Sequence, residues 1–405
     1  MNEITQQEME RQAFETISAG EPEWLRRVRE QAWQLRAQLE LPPRSQHRWR
    51  YTNPRRLLFP AGTPLRPTAA RSEHPPAHGE GLVVMDLATA ARELPELLQR
   101  HLGHVLPADD SLFAALHAAL WSGGLLVRVP AGTHPTQTLR THTDLSGAEG
   151  VLLPRTLIVV ERGATLTLVD EVSSPAPIEA GAMLHRSVEI VLEDGAGLNY
   201  VSIQDAPAGS VLHTTTAVHL AAGARLDYVF GSFGGGVVKA DLRAELLGRG
   251  AESNVFGLVY GRGRQRFDHH TVQRLHAPDC RSGMDVRAVL ADEARSAATG
   301  LLWIGEQGER AEAWQENRNL LLSERARAVS LPELEIMTDD VQAKHGATVG
   351  PVDETMLYYL ASRGLPREEA IRLVVTGFFE PLIEKVPVEN CRQALRQLVR
   401  RQLEG

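Results

Sequence analysis

Between Gly195 and Phe230 the chain reads GAGLNYVSIQDAPAGSVLHTTTAVHLAAGARLDYVF. A Gly-Ala pair opens the stretch at Gly195-Ala196 and returns at Gly223-Ala224, and each pair leads into alternating residues, as in Leu226-Asp227-Tyr228-Val229-Phe230. That alternation suits a strand with one buried face. The glycine permits a positive φ at the turn before it. The phrase occurs upstream as Gly163-Ala164-Thr165-Leu166 and downstream as Gly250-Ala251-Glu252, a spacing of roughly 27 to 32 residues. Stacking such units buries one continuous core, so the pattern predicts a β-solenoid. A β-sandwich competes, because short strands at regular spacing fit it too. The recurring phrase favours the solenoid.

Working outward, the sequence divides into 1–60, 61–81, 82–124, 125–335 and 336–405. Glu21 to Glu40 predicts an amphipathic helix, with Trp24, Leu25, Val28, Ala32, Leu35 and Leu39 at helical spacing. It ends at Pro42-Pro43. Trp49, Tyr51 and Leu57-Leu58 follow among Arg48, Arg50, Arg55 and Arg56; this short basic-aromatic patch is expected to pack on the first helix. Residues 60–81 are rich in Pro, Ala, Gly and Arg and predict a linker. A strand at Leu82 to Leu87 and helices at Thr89 to Leu102 and Asp110 to Trp121 form a connecting α/β region. Three helices close the chain: Asp353 to Ser362, Pro366 to about Glu380, and Pro387 to Leu403.

Composition excludes several classes. The 405 residues are 43% hydrophobic and carry a net charge of −8 with no basic block. Sequence-independent nucleic-acid binding needs such a block. No apolar run approaches the roughly 20 residues that span a bilayer, and the opening MNEITQQEMERQAF lacks a targeting pattern. A cytoplasmic protein is expected. The two cysteines, Cys280 and Cys391, form no metal-binding pair of motifs and cannot hold an iron–sulfur cluster alone. Free cysteines are commonly buried; Cys280, beside the Ala277-Pro278-Asp279 turn, has the better prospect of exposure. Gly234-Gly235-Gly236 lacks the Gly-Lys-Ser/Thr ending of a phosphate loop and predicts a bend.

Two groups of histidines stand out. Asp268-His269-His270-Thr271 with His276 suggests a mononuclear metal site, and hence a solenoid metalloenzyme; but His269 and His270 point to opposite faces of a strand, which favours structural hydrogen bonding. The other is His345, in LEIMTDDVQAKHGATVGPVDETMLYYLASRG from Leu334 to Gly364. Imidazole is a good ligand for first-row metals. Gly346 and Gly350 predict a turn, with His345 at the junction between a strand and a helix.

The LEI, DDV and HGAT-x-G elements of that stretch resemble the C-terminal signature of the SufB/SufD family of SUF iron–sulfur cluster assembly proteins. RSAATGLLWI (295–304), NRNLLLSERA (317–326) and FDHHT…APDCRSGM (267–284) extend the resemblance. Ala343 stands where the family pattern has cysteine, and a WR-x-T element lies at Trp49 to Thr52, so the chain looks more like SufD than SufB. The resemblance implies a parallel β-helix core with an N-terminal α/β region and a C-terminal helical subdomain. It implies a non-enzymatic subunit paired with a SufB-like paralogue, with His345 at a shared interface where iron or an iron–sulfur cluster is held transiently. It also implies a SufC-like ABC ATPase docked on the C-terminal helices. Tyr358, Tyr359, Arg363, Phe378 and Phe379 are the docking candidates, because these helices carry more apolar residues than one narrow stripe needs. A homodimeric scaffold acting without SufB is an alternative.

Overall fold

A computed structural model describes residues 6–59, 65–66, 70–72, 81–146, 150–174 and 181–404. From Gly124 to Pro351 the chain winds as a parallel β-solenoid, alternating between two facing sheets so that each rung gives one strand to each. Eight parallel strands stack in the first sheet, from Gly124–Val129 to Arg327–Ile336, and eight in the second, from Leu139–Asp144 to Val341–Pro351. The register repeats the sequence period: Gly197 lies beside Arg225, and Arg225 beside Glu252. Gly163, Gly195, Gly223 and Gly250 have φ between 64 and 70°, as the turn before each strand requires. Their N–H groups donate to the corresponding turn of the next rung, so the corners stack as well as the strands. Inward positions such as Leu166, Leu198, Leu226 and Val255 fill the lumen. Each fully buried aliphatic side chain there stabilises the fold by about 1.5–3 kcal/mol.

The two ends of the solenoid differ. At the start, Val83–Asp86 pairs antiparallel with Gly124–Val129, and Ala70–Ser72 antiparallel with Leu139–Asp144. At the finish, Arg327–Ile336 and Val341–Pro351 are the last strands of their sheets. Much of the expected linker lies outside the described residues; the pieces within them, Leu65–Arg66 and Ala70–Ser72, are short strands added to the solenoid.

Helices α1 (Gln6–Ser18), α2 (Glu23–Gln38), α3 (Leu87–Glu93), α4 (Pro95–His101) and α5 (Leu112–Leu120) cover the first sheet's outward face. The single helix expected at 89–102 is two, because Pro95 drives Leu94 out of helical geometry (φ −129°, ψ 50°). The Ser111 hydroxyl caps α5 by accepting from the Ala114 N–H. The basic-aromatic patch does not pack on the first helix as expected. Trp49 is buried against Phe113 of α5 and His213 of the solenoid, and the Thr52 hydroxyl donates to Asp268 at 2.6 Å.

Three helices complete the chain: α6 (Glu354–Ser362), capped by Asp353, α7 (Arg367–Ile383) and α8 (Glu389–Glu404). Val375, Phe379, Leu382, Leu395 and Val399 of α7 and α8 pack on outward residues of the second sheet, including Val201, Val229, Phe256 and Leu258. These helices run along the flank of the solenoid, and most of their apolar surplus is used there. Among the described residues no helix is long and apolar enough to cross a membrane.

Candidate functional site at the open end

His345 lies in the middle of the strand Val341–Pro351, where a strand–helix junction was expected. The reason is the period of the segment. Val341, Ala343, His345, Ala347 and Val349 share one face, and Gly346 and Gly350 occupy the alternate positions without positive φ. These glycines are strand residues, not turn residues.

Register fixes which face His345 shares. It pairs with Gln315, Gln315 with Met284, Met284 with Val255, and Val255 with Tyr228. That column faces the lumen, where Tyr228, Val255 and Met284 are core residues. His345 therefore continues the lumen-facing column onto the last rung, where it is exposed. Beneath it, buried Gln315 donates to the Glu333 carbonyl at 2.9 Å, tying the two sheets together. Ala343 shares the face and packs at the edge of the core. Ile336, Met337 and Val349 on the same rung are also exposed.

The Asp268–His276 group is not brought together as a metal site. His269 faces the lumen, bonds the Ser232 hydroxyl at 3.0 Å and stacks on Phe230; burial pushes its pKa down to about 3. His270 faces outward, bonds Thr299 at 2.7 Å and is pushed by burial down to about 4. His276 bonds Glu245 at 2.7 Å. Among the described residues no group of three or more His, Cys, Asp or Glu side chains is placed to hold a metal.

Sequence reading missed a buried polar column on the first sheet's outward face, beneath the N-terminal segment. His185, His213, Lys239 and Asp268 occupy the same place in successive rungs. Lys239 is fully buried between Asp241 (2.9 Å) and Asp268 (3.2 Å). Despite its burial, Asp241 is held well below the usual carboxylate range by Arg48, Lys239 and His213. Aligning the repeats rung against rung was the signal that would have exposed this column.

Both thiols are buried. Cys280, expected to have the better prospect of exposure, donates to the Gly248 carbonyl, and Cys391 accepts from Arg140; burial raises both pKa values. On the C-terminal helices, Tyr358 (78% exposed), Tyr359 (55%) and Arg363 face outward beside Met356 and Leu373. Phe378 is half-buried and Phe379 fully buried against the solenoid, so Phe379 supports the helices from inside and offers no docking surface.

A parallel β-solenoid that presents a histidine on its last, uncovered rung is the class of protein these observations define. The family model for the SufBD core domain of SUF system FeS cluster assembly matches residues 143–378, more than half of the chain, and the chain belongs to that family. It is 29% identical to the iron–sulfur cluster assembly protein SufD of Bacillus subtilis, over 95% of each chain. It is 27% identical to iron–sulfur cluster assembly SufBD family proteins of Staphylococcus saprophyticus and Staphylococcus epidermidis, over 80% of this chain and 70% of theirs. The SufD-like character expected from Ala343 is matched by the extent of the Bacillus resemblance.

Proposed function

We propose that this chain is the SufD-type subunit of a SUF assembly complex and that it acts as a scaffold, without catalysing a reaction itself. A SufB-type paralogue pairs with the last rung, and iron or a nascent iron–sulfur cluster is cargo held between the two. The observation that carries this reading is the place of His345, exposed at the end of a lumen-facing column on a rung with uncovered edges. An uncovered strand edge is a template for pairing with another chain. With Ala343 offering no thiolate, the imidazole is the iron-binding donor of this strand, and the remaining ligands come from the partner. The exposed Tyr358, Tyr359, Met356 and Leu373 support docking of a SufC-type ATPase, since apolar groups rimmed by charge mark partner surfaces.

Reconstitution of the complex with both partners tests the reading. His345→Ala leaves assembly intact and lowers cluster yield severalfold, whereas a Tyr358→Ala/Leu373→Ala variant pairs with the paralogue but loses the ATPase. Wild-type cluster yield from the His345 variant sinks the ligand role, and retained ATPase binding by the double variant sinks the docking surface.

A further inference from the structure

Away from the last rung, the charge pattern of the first sheet contains an anomaly. Arg266, Arg295 and Arg327 each open a strand, lie in register on adjacent rungs and are exposed. Rung spacing of about 4.8 Å stacks three guanidinium side chains in one outward column. Partial desolvation, then the nearby charges of Arg56 and Arg295, lower the Arg266 pKa. Among the described residues none of Arg56, Arg266, Arg295 and Arg327 has an ion-pair partner. The corresponding column of the second sheet is built differently. Arg225, Glu252, Arg281 and Glu312 alternate in sign, with ion pairs at 3.7 Å (Arg225–Glu252) and 3.8 Å (Arg281–Glu312). Like charges directly opposite on neighbouring strands are destabilising. In a chain with net charge −8, three of them in a row are not the by-product of a basic composition.

The ladder also forms one wall of a cavity of about 230 Å³, whose other wall is the N-terminal segment through Arg44, Tyr51 and Thr52. The Asp268 carboxylate also lines it, already engaged by Lys239 at 3.2 Å and by the Thr52 hydroxyl at 2.6 Å.

We propose that this cavity is a binding site for a phosphoanion, either an inorganic diphosphate or the phosphate end of a nucleotide. Guanidinium groups bind phosphate oxygens through paired N–H donors and stay charged at any physiological pH. Several converging arginines supply more charge than one carboxylate neutralises, which selects a multiply charged ligand. The cavity lies below the usual span of about 300–1,000 Å³ for drug-sized ligands, so it suits a compact anion. Because Arg327 belongs to the last rung, the bound anion relieves repulsion at the open end of the solenoid.

Calorimetry and thermal melting of the full chain at low ionic strength, with inorganic pyrophosphate and with ADP, test the proposal. Pyrophosphate is expected to bind one to one and raise the Tm. An Arg295→Gln/Arg327→Gln variant loses at least tenfold in affinity, yet without ligand melts at or above the wild-type temperature, because the repulsion has gone. Equal affinities for the two ligands assign the phosphate chain as the whole determinant, and tighter ADP assigns a nucleotide; either supports the site. Absence of binding by both ligands at millimolar concentration overturns it. So does undiminished binding by the variant, or an equal Tm rise from sodium chloride at matched ionic strength.

Discussion

Phe230 and Gly257 face one another on adjacent rungs of the second sheet, and the fit between them depends on a missing methyl group. A Cβ built on Gly257 would lie 2.2 Å from Phe230 Cζ, and the Phe230 ring is stacked on His269 with centroids 4.9 Å apart. Gly257→Ala is therefore expected to lower stability by about 1–3 kcal/mol through overpacking, read as a lower urea midpoint. Phe230→Leu in the same background should recover part of the loss; an unchanged midpoint in the single variant would contradict this packing. The same residue type explains what the sequence hid about His345. Its place in a family signature was legible from the surrounding pattern, but Gly346 and Gly350 read as turn residues when they are outward positions of a strand. A glycine before a strand and a glycine within one look alike until the alternation of Val341, Ala343, Ala347 and Val349 is weighed against them.

At the level of elements, the N-terminal segment and α5 form a lid over the first sheet's buried histidines. His185 and His213 lie 3.3 Å apart through their Nδ1 atoms beneath Phe59, Trp49 and Phe113. Burial lowers the pKa of His117, His185 and His213, as it lowers His269 to about 3 and His270 to about 4. In the unfolded chain these imidazoles take up protons near their ordinary value of 6.5. Their contribution to stability is thus fully present above that pH and is lost as pH falls toward the folded values. Each buried neutral histidine costs up to about 2 kcal/mol by pH 5. Asp241, held well below its ordinary value, stays charged across this window and does not offset the loss. The urea midpoint should drop markedly from pH 7.5 to pH 5, and less in a His185→Gln variant. A pH-independent midpoint would show that the lid does not bury these groups as neutral species. The elements themselves were largely legible, because period and turn glycine are local signals. The lid was not. That Trp49 docks on α5 and the solenoid, and that α7 and α8 lie along the second sheet, are facts of tertiary contact that no local pattern encodes.

For the molecule as a whole, the solenoid was readable from a repeated phrase, but its polarity was not. The short strands that close the first rung carry no repeat signature, and the last rung is written in the same alternating code as the covered rungs before it. The resulting asymmetry sets a valence. A stack of identical rungs open at both ends could add copies without limit and grow into a fibre. Among the described residues the starting end is finished by strands of three and four residues in the opposite direction, too short to seed another ladder. With one end left open, end-to-end association is expected to stop at two chains. Light scattering of the isolated protein across a wide concentration range should therefore approach the mass of a dimer and level off there. Masses that keep climbing would mean that the finished end is also a growing end.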